Sequence, residues 1–106
     1  MNLLFICTHN KFRSRTAEVV FKDYMNCQTK SAGTSSGAKV KLNPELIAWA
    51  DIIFVMEEKH KQYLEQKLSV ESNNCRIEVL GIPDNYTFMH PKLIELLKSK
   101  VEVHLK

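Results

Sequence analysis

An α/β fold, a four-stranded parallel sheet flanked by helices on both faces, is the class this chain predicts. Strongly apolar runs alternate with segments whose apolar residues recur at helical spacing, from one end to the other. The first of these runs is nearly continuous in apolar character, as a strand buried on both faces must be. No internal repeat or low-complexity linker interrupts the order, so residues 1–106 read as one domain.

The elements follow in order. Residues 2–7, NLLFIC, are the first strand. A polar loop comes next, and then Ala17, Val20, Phe21 and Tyr24 fall at i, i+3, i+4 and i+7, the stripe of an amphipathic helix starting near Ser14. The small, polar residues 29–38, TKSAGTSSGA, read as a short strand running into a loop. Asn43, Pro44 and Glu45 supply a helix N-cap, a proline in the first turn and an acid beside it, which predicts a short helix through Trp49. Residues 51–56, DIIFVM, are a further strand, after which Glu57 and Glu58 open a helix bearing Tyr63, Leu64 and Leu68. RIEVLGI, residues 76–82, alternates as a strand up to Pro83, and Pro91 starts a last helix with Leu93, Ile94, Leu97 and Val101 along one side.

Composition narrows the function classes. Hydrophobic residues at 44% and charged residues at 25% are ordinary globular values. No apolar run approaches the roughly 20 residues that cross a bilayer, so no membrane partner is expected. The start MNLLFIC lacks a basic leader and a small-residue cleavage site, which points to a cytoplasmic protein. Three cysteines, Cys7, Cys27 and Cys75, form no C-x-x-C pair, against both a disulfide framework and a zinc site. The four histidines, His9, His60, His90 and His104, show no metal-ligand spacing and read as polar surface groups. No metal or cofactor is expected. A net charge of +3 favours anionic ligands without requiring nucleic acid.

The chemistry concentrates in FICTHNKFRS, residues 5–14, where the first strand stops. A loop between a strand and a helix N-terminus aims several backbone N–H groups at one point, and the helix dipole adds positive potential there. Cys7 would face that point, where the field favours a thiolate nucleophile. Arg13 brings a planar fork for two oxygens of a phosphate. Ser14 offers a hydroxyl to the sulfur or to the helix end, and Asn10 accepts the left-handed backbone such a nest requires. In parallel sheets ligands bind beyond the carboxyl ends of the strands, where both this loop and the segment after Ile82 belong.

C-T-H-N-K-F-R-S resembles the C-x-x-N-x-x-R-S phosphate loop of low molecular weight protein tyrosine phosphatases, on Cys7, Asn10, Arg13 and Ser14. Ser31-Ala32-Gly33-Thr34 is similar to that family's S-A-G-T after its second strand. Residues 50–60, ADIIFVMEEKH, resemble its strand ending in Met-Asp/Glu, and Ile82-Pro83-Asp84-Asn85-Tyr86 its late D-P-Y segment. The resemblance implies a phosphatase in which Cys7 forms a phosphocysteine while Arg13 and the amides of the loop, Thr8 through Ser14, hold the phosphoryl oxygens. It implies Asp84 as the acid for the departing group and then the base for water, a role that suits phenolate departure. His9 touches substrate or caps the loop, Lys11 is a rim cation that draws in anions, Phe12 is a further residue of the phosphate loop, and Tyr86 flanks a phenyl ring or packs on the sheet. The expected ligands are phosphorylated proteins or small aryl phosphates, with phosphate, vanadate or sulfate as occupants of the loop.

The chain departs from the pattern in three respects. It is about a third shorter than typical members, mostly after Thr34; Asn85 replaces the proline of D-P-Y; and Phe12 stands where many members carry a second cysteine. Two other readings remain. The same fold serves thiol-coupled arsenate reductases, and Asn73-Asn74-Cys75 is similar to their distal cysteine region, with Cys27 needed to complete a relay. A non-catalytic module binding phosphate or a phosphoprotein uses the same cradle but leaves the thiol unexplained. The basic stretch at residues 11–15, broken by Phe12, is a weak nucleic-acid signal.

Overall fold

The computed structural model describes residues 1–68 and 75–105. Four parallel strands, β1 (Asn2–Cys7), β2 (Gln28–Gly33), β3 (Ile52–Val55) and β4 (Arg76–Val79), form one sheet in the order β2-β1-β3-β4. The expected class and strand count both hold. The helices are α1 (Arg13–Phe21), α2 (Pro44–Trp49), α3 (Glu58–Lys67) and α4 (Pro91–Glu102), with a 3-10 turn at Tyr24–Asn26 closing the connection after α1.

Side chains alternate across a strand, so β1 divides its apolar residues between two layers. Leu3, Phe5 and Cys7 share one cluster with Ala17 and Phe21 of α1 and Leu93, Leu97 and Val101 of α4. The Phe5 ring stacks on Phe21 and Phe54, with centroids 5.8 and 5.4 Å apart. Leu4 and Ile6 pack on the other face with Ile53, Val55 and Leu64, covered by Leu46, Ile47 and Trp49 of α2. This burial on both faces is why the first run is apolar throughout.

The predicted N-cap is in place: the Leu46 N–H donates to Asn43 Oδ1 at 2.9 Å, with Pro44 in the first turn of α2. The last strand is shorter than its sequence suggests. Ladder pairing stops at Val79, although the Leu80 and Ile82 amides still donate to the carbonyls of Val55 and Met56. Gly81, at φ 68, breaks the extended run between them in a conformation that only glycine adopts freely.

The strand order places the site. From β1 the chain moves outward to β2 and then crosses to β3 on the other side of β1, so the connections leaving β1 and β3 diverge. Such a divergence opens a crevice at the carboxyl edge of the sheet. The loop after Cys7 and the turn at Met56 and Glu57 are its two walls.

Candidate functional site

The wall after β1 is a loop whose carbonyls are turned outward. Those of Cys7, Thr8 and His9 accept the Thr34, Ser35 and Lys39 amides at 3.0, 2.9 and 3.1 Å. In a trans peptide the N–H points opposite to the carbonyl before it, so the amides of Thr8, His9 and Asn10 are directed away from that segment. Among the described residues, no amide from Thr8 through Phe12 donates to a protein acceptor. They are available to an anion, at the N-terminus of α1.

Asn10 shapes the loop. It is fully buried with φ 57, and its side chain is spent inward: Nδ2 donates to Ser14 Oγ at 2.8 Å and Ser31 Oγ at 2.9 Å, while Oδ1 accepts from the Val40 amide at 3.1 Å. Ser31 in turn donates to Glu18. The loop also lies against Gly33, where a Cβ would stand 2.5 Å from the Thr8 carbonyl oxygen and 2.6 Å from the Ala38 Cβ. The S-A-G-T stretch therefore has two physical roles, a hydroxyl for Asn10 and a bare α-carbon under the loop.

Cys7 Sγ lies 2.9 Å from Ser14 Oγ. Ser14 Oγ accepts from Asn10 and keeps its own hydrogen, which it can donate to Sγ when Cys7 is ionised, a polarised chain that would stabilise charge on the sulfur. Arg13, the first residue of α1, is 2% exposed, and Nη1 donates to Glu57 Oε2 at 2.6 Å and to the Ile82 carbonyl at 2.8 Å. A buried guanidinium is tolerated when it is paired in this way. The hydrogen bond from Arg13 holds the Glu57 carboxyl below the ordinary carboxylate range, against the opposing effect of burial. Asp84, itself exposed, places Oδ1 3.7 Å from Nε of the same buried guanidinium.

A cavity of about 50 Å³ is enclosed by Cys7, His9, Lys11, Phe12, Arg13 and Asp84. At roughly 10–15 Å³ for each water it would hold, it suits a tetrahedral oxyanion rather than a whole ester. His9, Lys11 and Phe12 stand exposed around its mouth. Tyr86 does not belong to this cavity. It packs against the α1 and α4 core layer, with its ring centroid 5.5 Å from that of His90, and lines a separate recess with Lys92 and Leu96.

Sequence reasoning missed two side chains. His60 is 1% exposed rather than on the surface: Nδ1 accepts the Glu57 amide at 3.0 Å, and Nε2 lies 2.9 Å from Thr8 Oγ1. The sequence presents Glu57 as a helix-opening charge, yet it is the anchor of Arg13. The spacing from Glu57 to His60 is that of a capping box, with histidine where glutamate or glutamine is usual, and that was the available signal.

The other thiols lie far away. Cys27 immediately precedes Gln28, which pairs with Asn2, and Cys75 precedes Arg76, which pairs with Ile52. Both sit at the amino edge of the sheet, about 20 Å from Cys7 at roughly 3.3 Å per strand residue. A disulfide relay through either one has no geometric basis, which removes the reductase reading's main requirement. Asn73 and Asn74 lie outside the described residues. No cluster of His, Cys, Asp or Glu among the described residues is arranged to hold a metal ion, and no described helix is long and apolar enough to cross a membrane.

The family model for low molecular weight phosphotyrosine protein phosphatase matches residues 2–49, a span that contains β1, the whole phosphate loop and the glycine beneath it. Over that span the chain is similar to this family. The low molecular weight protein tyrosine phosphatase of Streptococcus pyogenes has the same fold, with a TM-score of 0.80 at 17% identity over 98% of this chain and 90% of that one. Wzb of Vibrio vulnificus, solved with benzylphosphonate, gives a TM-score of 0.75 at 22% identity, covering 97% and 95%. Among curated proteins, the protein-arginine-phosphatase of Bacillus subtilis is 22% identical over 98% of this chain and 85% of its own length. These likenesses share the fold of this chain and, over residues 2–49, the segment that holds its anion-binding loop.

Proposed function

We propose that this phosphatase hydrolyses aryl phosphate monoesters, with phosphotyrosine on proteins as the principal substrate class, through a phosphocysteine at Cys7. The observation that carries the reading is the Ser14 hydroxyl 2.9 Å from Cys7 Sγ, beneath a loop of uncommitted amides. In the first displacement the Cys7 thiolate attacks phosphorus and the ester P–O bond breaks. Asp84 in its acid form delivers its proton to the departing phenolate. Arg13 and the loop amides hold the three equatorial oxygens, on which charge is spread in the transition state. In the second displacement Asp84 removes a proton from water, the oxygen bonds to phosphorus, and the sulfur leaves as thiolate with charge stabilised by Ser14. Phosphate is released.

The small cavity and the exposed rim of His9, Lys11 and Phe12 fit a phosphoryl group presented on a protein surface. The cytoplasm is the proposed location, in line with three thiols that form no disulfide. The Bacillus subtilis relative favours a second reading, phosphoarginine as substrate. Phosphotyrosine and phosphoarginine peptides assayed side by side decide between them. The chemistry itself is tested with a synthetic aryl phosphate: wild type turns over and is inhibited by vanadate, Cys7→Ser does not turn over, and Asp84→Ala is slow. Undiminished turnover by Cys7→Ser refutes the mechanism.

A further inference from the structure

His60 has no place in the two displacements, yet both of its ring nitrogens are committed and the ring is buried. The geometry fixes its proton. The Glu57 backbone N–H is only a donor, so Nδ1 must present its lone pair, and the single proton of the neutral ring resides on Nε2, donated to Thr8 Oγ1. Its two partners are the residues through which the loop and the arginine are held. Thr8 directly follows the nucleophile, and Glu57 grips Arg13 Nη1 at 2.6 Å.

We propose that His60 is a positioning residue: in its Nε2–H form it ties the start of the phosphate loop to the first turn of α3, keeping Cys7 and Arg13 in a common register. The inference deepens the phosphatase reading and rests on it. Thr8 lies on one wall of the crevice and Glu57 on the other, and among the described residues the imidazole is the side chain that bonds to both of these groups. Protonation would place a second N–H at Nδ1, facing the Glu57 amide, and the bridge would lose its acceptor on the α3 side.

The surroundings oppose that protonation. Burial acts most strongly, followed by the Arg13 guanidinium from α1; Lys59 at the start of α3 adds to them, while Glu57 and Asp84 pull the other way. The outcome is a ring whose pKa is lowered to about 4. The bridge is therefore intact at neutral pH and opens only in acid.

The test combines ring NMR of nitrogen-labelled protein with kinetics on a synthetic aryl phosphate and with binding of inorganic phosphate. Wild type is expected to show the Nε2–H tautomer at neutral pH. His60→Ala is expected to lose about 100-fold in kcat/KM, the scale of a misplaced reacting group, and to bind phosphate more weakly. His60→Gln restores both, because its Oε1 accepts the Glu57 amide as in a capping box and its Nε2 donates to Thr8. It also retains activity further into acid than wild type. Thr8→Val lowers kcat/KM as well, and its effect does not add to that of His60→Ala. An imidazolium or Nδ1–H ring at neutral pH overturns the proposal, as does a folded His60→Ala with unchanged kcat and phosphate affinity. Failure of the phosphatase reading looks different: wild type lacks aryl phosphate turnover while the tautomer and the effect of His60→Ala on phosphate binding persist.

Discussion

Cys7 and Cys27 adjoin the same pair of parallel strands, and solvent reaches them almost equally little, at 3% and 4% exposure. What differs is the end of the sheet at which each lies. Cys7 closes β1 at the carboxyl edge, where the chain turns into a loop of free amides and the first turn of α1 brings Ser14 to its sulfur. Cys27 opens β2 at the amino edge, packed into the α1 and α4 core layer. Burial therefore says little about what a thiol does; the direction of the strand and the polar groups beyond it decide. A parallel sheet makes this asymmetry general, because all of its strands point their carboxyl ends, and the helix N-termini that follow, to one side.

Substitutions at the two ends sharpen the contrast. Cys7→Ser should lower aryl phosphate turnover by at least about 10⁴-fold with the fold intact by circular dichroism, the scale on which nucleophile removal acts in other covalent enzymes. Asp84→Asn should cost about 10²- to 10⁴-fold in kcat, and more for substrates with poor leaving groups, the signature of a lost acid. Gly33→Ala sets a methyl group against the Thr8 carbonyl and Ala38, and should lower phosphate affinity and kcat/KM by about 100-fold. Cys27→Ser should leave turnover within about twofold but cost about 1–3 kcal/mol of unfolding free energy for the buried hydroxyl. An inactive but fully stable Cys27→Ser would break the comparison.

The two ends should also respond differently to acid. His60, at the carboxyl edge, is lowered from 6.5 to about 4, so between these values the unfolded chain binds more protons than the native one. Its contribution is complete above pH 6.5 and is lost as the pH falls toward 4, roughly 3 kcal/mol in all. Glu57, also lowered, adds a loss below its ordinary value of 4.5. Urea denaturation at neutral and acidic pH should show this decline in wild type and a shallower one in His60→Gln.

Much of this was legible in the sequence because it depends on neighbours along the chain. Strand β1 and helix α1 follow from apolar periodicity, the left-handed Asn10 from residue type, and the Ser14 contact from placing a hydroxyl one residue beyond Arg13 at a helix start. The residues that escaped notice act across the sheet. His60 looked like one more polar histidine because its two bonds join β3's loop to β1's loop, and no spacing within α3 reveals Thr8. For Tyr86 the sequence leaves two places open, beside a phenyl ring or packed in the fold, and its ring lies against His90 and the core layer. Secondary structure is written locally, whereas the partner of a buried polar group is set by strand order.

The central claim is that the sulfur of Cys7 accepts the phosphoryl group. Acid-quenched enzyme, taken during turnover of a synthetic aryl phosphate and digested for mass spectrometry, should carry one phosphoryl group on the peptide containing Cys7, and a Cys7→Ala variant should carry none. Turnover without any phosphorylated intermediate, or a phosphoryl group found on a different residue, would contradict the account.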